Sequence, residues 1–222
     1  MLGTAVDEGT LFTFFTFLFH DKLTEETFKN MIIHSFQDDD EDDDAHKIFQ
    51  HYLERLGTIE STAGLAEITN DAYFQCGNRR YVFLLLHFYL PAFFNLFWRN
   101  RFANLLSPNE KTYKYLFNRH SEGSPIPQIK VFHALDLVYL FGTPIGGRLF
   151  PGYFNAEERE LSDKMIAYFT NFAKYGKPTN DTIWPVYTRE NPVTFVLDIG
   201  EPKTIVDYAN FTCTFWDSIY PE

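Results

Sequence analysis

The stretch NAEERELSDKMIAYFTNFAKYGKP, residues 155–178, decides how the chain is read. Asn155 is a favoured helix N-cap, and Glu158 stands three residues on. At that spacing each side chain can satisfy the other's exposed backbone N–H. Leu161, Met165, Tyr168, Phe169 and Phe172 recur at helical spacing, which predicts a buried stripe. Gly176 and Pro178 then stop the helix. VTFVLDIG (193–200) follows as a strand, and KTYKYLFNR (111–119) precedes it as an aromatic-rich one. EETFKNMIIHSF (25–36) and residues 45–56 read as helices. GTAVDEGTLFTFFTFLFHDKLT (3–24) reads as a strand end, a glycine-bounded turn and an apolar segment. Strands mix with helices, so the fold class is α/β.

With 222 residues the chain can bury a sizeable core as one domain. Its 25 phenylalanines and 13 tyrosines exclude a disordered composition. A net charge of −11 and a pI near 5.0 argue against nucleic acid as a partner, because phosphate binding needs a basic face. The acidic run Asp38 to Asp44 is a solvated loop whose end caps the next helix, since carboxylates favour a helix N-terminus. It lacks the alternating ligand spacing of a calcium loop. The histidines are scattered without ligand spacing, so neither a metal nor an organic cofactor is implied. Cys76 and Cys213 fit no zinc pattern. They read either as free thiols of a reducing compartment or as one long-range disulfide of a secreted protein. Asn180-Asp181-Thr182 and Asn210-Phe211-Thr212 are glycosylation sequons, which tilt the reading outward. MLGTAVDEGT, at the start, has no signal-peptide pattern.

His133 sits in FHALDLVYLFGTP (132–144), between two apolar runs. Local sequence alone reads such a ring as a packed core histidine. The wider pattern reverses this. FHALDLVYLFGTP, then NFAKYGKP (171–178) and WPVY (184–187), resembles in order the C-terminal part of the type-B carboxylesterase and cholinesterase family. FTCTFWDSIYP (211–221) resembles the segment that ends that family's catalytic domain, and GTAVDEGTLF (3–12) its DEG segment. Bile-salt-lipase-like members look closer near Asp136, where cholinesterases commonly have glutamate; Ala134 replaces a common glycine. The resemblance spans nearly the whole chain and implies part of an α/β-hydrolase fold over residues 1–222, with an incomplete central sheet. It implies that Glu8 and His133 are the acid and the histidine of a catalytic triad. It also implies that Cys76 and Cys213 form a disulfide.

Ester hydrolysis by this route needs a serine nucleophile, a histidine that takes its proton and a carboxylate that orients the histidine. In this fold the serine sits in a G-x-S-x-G elbow ahead of the acid. Seven residues precede Glu8 and none is serine. TIESTAG (58–64) imitates an elbow around Ser61, but Ile59 and Ala63 stand where the strained turn requires glycine. The glycine-rich oxyanion loop is absent too. The expectation is a chain that carries the acid and histidine, has no nucleophile and is inactive alone, with exposed sheet edges that lower its solubility.

YVFLLLHFYLPAFFNLFW (81–98) is apolar, flanked by arginines and long enough for a membrane helix. His87, Pro91 and Asn95 burden that reading. Without residues 81–101 the chain resembles the family much better, so the stretch reads as an insertion of the kind a translated intron gives. Two function classes lead: a carboxylic-ester hydrolase acting on a small-molecule ester, and a neuroligin-like adhesion module without catalysis. Retention of both Glu8 and His133 favours the hydrolase. The expected location is extracellular or cell-surface, and a homo-oligomer is left open.

Overall fold

Four short runs of strand-forming residues pair into one sheet in the computed structural model, which describes residues 1–19, 24–36, 43–57, 62–76, 111–124, 129–143 and 153–220. The strands are β1 (Leu2–Ala5), β2 (Lys114–Phe117), β3 (Val193–Leu197) and β4 (Lys203–Val206), in the spatial order β1-β2-β3-β4. β1, β2 and β3 run parallel, with Ala5 beside Phe117 and Phe117 beside Leu197. β4 closes the far edge antiparallel to β3, with Val206 beside Val193. β2 and β3 are buried along their whole length, whereas β4 is exposed along its own. Burial on both faces is the ordinary state of parallel strands, which read as near-continuous apolar runs.

The described residues fall into two units. The first comprises Met1–Glu8 and the described part of Arg99–Asn210, and holds the sheet with the helices Leu135–Leu140 and Ala156–Tyr175. The second holds α1 (Gly9–Phe19), α2 (Glu25–Phe36), α3 (Asp43–Leu56), α4 (Thr62–Thr69), a π-helical turn at Asn70–Gln75 and the residues from Phe211 on. We number the remaining helices α5 (Leu135–Leu140), α6 (Ala156–Tyr175) and α7 (Asn210–Ile219).

Helix α6 forms as its sequence predicts. The Asn155 side chain accepts from the Glu158 N–H, the Glu158 carboxylate accepts from the Asn155 N–H, and Gly176 ends the helix at φ 69°. Its buried face differs from the predicted stripe. Leu161 and Met165 are buried, but Tyr168, Phe169 and Phe172 are only half-buried, and Glu158 and Ser162 share the inner face. The half-buried rings still pack against the unit's aromatic side chains: Phe169 meets Tyr115 edge-on at 5.5 Å, and Tyr168 meets Trp184 at 5.5 Å. Near the start of α6, Glu158 accepts from Arg119 Nε at 3.2 Å and Tyr139 Oη at 3.0 Å. Burial alone would raise this carboxyl, but the hydrogen bonds and the Arg119 charge outweigh it and hold the group below the usual range.

In the second unit Tyr52 Oη donates to Asp71 at 2.8 Å and accepts from Trp216 Nε1 at 3.0 Å. Arg55 bonds the same carboxylate oxygen at 3.0 Å. Burial pushes Asp71 up to about 6 despite these partners. Cys76 and Cys213 form the disulfide that the resemblance implies, with Cα atoms 5.0 Å apart across a separation of 137 residues. A loop that long gives about 5 kcal/mol in the chain-entropy account of cross-linking. Helix α3 begins at Asp43, two residues earlier than expected, so Asp43 and Asp44 lie within its first turn, where carboxylates are favoured; the earlier part of the acidic run, from Asp38, lies outside the described residues. Ser61 and residues 81–101 lie outside the described residues. Among those described, no helix is long and apolar enough to cross a membrane.

The sheet also buries an ammonium group. Lys114 is 5% exposed, with Nζ at 5.6 Å from the Tyr187 ring centre and 6.0 Å from that of Tyr208. Burial lowers it to about 8. The folded pKa lies below the unfolded one, so between the two values the unfolded chain binds more protons. Stability therefore rises as pH climbs above 8. The penalty at neutral pH is roughly 3 kcal/mol from the shift, less about 1 kcal/mol returned by the rings. We expect Lys114→Met to raise the urea midpoint at pH 7 by an amount worth about 1–2 kcal/mol, and to narrow the gain that the wild type shows between pH 7 and pH 9.5.

Candidate active site

The site is built where β1 ends. Val6 N–H donates to Phe117 O at 3.0 Å, which carries the chain off the sheet beside the end of β2. The turn Val6-Asp7-Glu8 follows. Ala5 N–H donates to Glu8 Oε1 at 2.7 Å, so the backbone of β1 pins one carboxylate oxygen. The other oxygen, Oε2, lies 2.6 Å from His133 Nδ1. Glu8 is 2% exposed, and the His133 side chain 12%. A contact this short between an ionised acceptor and a ring nitrogen is a charge-assisted hydrogen bond. A carboxylate can only accept, so the proton of neutral His133 is on Nδ1, and Nε2 carries the lone pair.

Two residues around His133 adopt left-handed backbone: Lys130 at φ 48° and Ala134 at φ 69°. Neither is glycine, and each such residue costs about 1–2 kcal/mol. Packing holds the segment in spite of this, because Val131 is 5%, Phe132 1% and Leu135 1% exposed. After Ala134 the chain enters α5. There Asp136 accepts from Tyr115 Oη at 2.9 Å. Tyr115 reaches it by lying across Gly3 of β1: a Cβ at residue 3 would sit 2.0 Å from the ring.

These bonds join residues far apart in sequence, and their chemistry is that of a proton acceptor held by a buried acid. The profile of the carboxylesterase family matches residues 1–216. The chain belongs to the carboxylesterase family. It is 26% identical over 227 residues to an acetylcholinesterase of Leptinotarsa decemlineata, covering 100% of this chain and 33% of that protein. A bile salt-activated lipase of Rattus norvegicus is 45% identical over 87 residues, 36% of this chain and 14% of the lipase. Among solved structures, a PNB esterase superposes with a TM-score of 0.64 at 24% identity, over 99% of this chain and 38% of the esterase. That likeness shows the fold, an α/β hydrolase with part of its sheet. The chain spans about a third of the length of the acetylcholinesterase it matches.

Of the residues singled out in the sequence, this carboxylesterase chain brings Glu8 and His133 together and bonds Cys76 to Cys213. Asn180 and Asn210 are both exposed. Among the described residues no group of three or more His, Cys, Asp or Glu could hold a metal ion. Sequence reasoning missed Tyr115 and Gly3. The signal was a small residue in β1 opposite a tyrosine in β2, visible only once the register is known. We expect Gly3→Ala to cost about 2–3 kcal/mol in urea unfolding through overpacking. Tyr115→Phe, which keeps the ring and removes the bond to Asp136, should cost about 1 kcal/mol.

Proposed function

We propose that this chain is the acid-and-histidine portion of a serine-dependent carboxylic-ester hydrolase. The observation that carries the reading is the 2.6 Å bond from His133 Nδ1 to Glu8. In the proposed reaction His133 Nε2 takes the proton of a serine hydroxyl as the oxygen attacks the ester carbonyl. Glu8 stabilises the imidazolium that forms, and the proton then passes to the leaving alcohol. Water repeats the cycle on the acyl intermediate. The nucleophile lies outside these 222 residues, because no serine in them has glycine at both flanking elbow positions. The chain alone is then inactive. The substrate is a small-molecule ester. The bonded pair of Glu8 and His133 supports a hydrolase over a non-catalytic adhesion module, which needs neither residue.

Residues 1–222 are, on this reading, one portion of a carboxylesterase-type catalytic domain, with 81–101 an insertion foreign to the family. The disulfide favours an oxidising compartment, and the exposed sequon asparagines Asn180 and Asn210 suit an extracellular glycoprotein.

A serine-directed phosphonate should leave the purified chain unlabelled; stoichiometric labelling would contradict a nucleophile outside it. In a polypeptide that carries these residues behind a serine elbow, His133→Gln or Glu8→Gln should each lower kcat/KM by about 10³–10⁴-fold. Ester hydrolysis at an undiminished rate in either variant would remove that residue from the mechanism.

A further inference from the structure

We propose that Asp7 is the positioning residue for His133. The inference rests on the reading of Glu8 and His133 as acid and base, and adds a third side chain to that site. Asp7 meets one residue of the histidine segment twice. Its N–H donates to Val131 O at 3.1 Å, and its Oδ2 accepts from Val131 N–H at 3.3 Å. Both backbone polar groups of Val131 are thus held by a single residue.

Val131 is two residues before His133, and Phe132 between them is 1% exposed. The backbone path from Val131 to the ring is therefore short and packed. It is also bounded by the left-handed residues Lys130 and Ala134. Left-handed backbone at two non-glycine positions is not a path the chain takes unaided, so contacts from outside the segment must hold it. Asp7 supplies them from the residue next to Glu8. One dipeptide accordingly fixes both the height of the segment, through Asp7, and the ring, through Glu8. A displacement of Val131 along the Asp7 backbone would carry Nδ1 away from Glu8 Oε2.

An aspartate suits this place. Its side chain is short enough to reach a neighbouring N–H while its own backbone N–H pairs with the same residue, and its charge strengthens the bond. The nearby ion pair is a lesser part. Lys130 Nζ lies 3.9 Å from Asp7 Oδ1 with its side chain 62% exposed, and exposed pairs contribute little.

The experiment follows solvent exchange of the His133 Nδ1 proton by NMR in the chain labelled with ¹⁵N-histidine. Exchange of the Leu116 and Phe117 amides serves as the internal reference. In Asp7→Asn, which keeps a neutral acceptor, the His133 proton should exchange about threefold faster, and in Asp7→Ala about tenfold faster or more, a span set by the ordinary worth of one hydrogen bond. Lys130→Ala should leave it unchanged, and the reference amides should keep wild-type rates in all three. Wild-type exchange of the His133 proton in both Asp7 variants overturns the proposal. So does an equal acceleration of the reference amides, which would mark a merely structural role. If Asp7→Ala does not fold, Asp7→Asn decides alone by the same criterion. A proton that behaves alike in the wild type and in Glu8→Gln carries a different signature: it overturns the acid assignment of Glu8, and the positioning role with it.

Discussion

The proposed site of this chain depends on one hydrogen bond between residues 125 positions apart, from His133 Nδ1 to Glu8 Oε2. It cannot form locally. Glu8 must leave β1 at the level where Phe117 ends β2, and the parallel register of Ala5 with Phe117 provides that level. One oxygen of Glu8 is then committed to Ala5 N–H, which leaves the other for the ring. A buried carboxylate without such partners would carry a large desolvation cost. Here the backbone and the imidazole offset it together.

The rest of the first unit holds that geometry. Tyr115 crosses Gly3 to reach Asp136 at the start of α5, and Asp7 holds Val131 from the other side. The two contacts bracket His133. At the inner side, Tyr139 of α5 bonds Glu158 of α6, the same carboxylate that closes the capping box. A residue legible as a helix cap is thus also a buried link between the two helices. In the second unit the disulfide and the Tyr52–Asp71–Arg55 cluster do the corresponding work for helices α3 and α7 and the π-helical turn.

Legibility in the sequence followed the range of the interaction. Helix α6 was legible because its signals are local: Asn155 and Glu158 at capping distance, Gly176 at the end. The strands β2 and β3 were legible as aromatic and branched runs. Strand β4 was not, since Lys203 to Val206 is exposed and shows no buried alternation. The π-helical turn has no period that sequence reasoning tests. The pairing of Glu8 with His133, and of Cys76 with Cys213, came from the resemblance of ordered motifs rather than from any local property. On its neighbours alone His133 read as a core histidine. Tyr115, Gly3 and Asp7 stayed hidden because their roles follow from register and from left-handed backbone, neither of which is written in residue types.

The most direct test of the central bond is the tautomer of His133. In the ¹⁵N-histidine-labelled chain at a pH where the ring is neutral, long-range ¹H–¹⁵N correlation distinguishes the two ring nitrogens. The bond to Glu8 predicts the proton on Nδ1, with Nε2 unprotonated, and a shift toward the alternative tautomer in Glu8→Ala. A wild-type ring protonated on Nε2 would contradict the account, because a carboxylate at Nδ1 has nothing to donate in return.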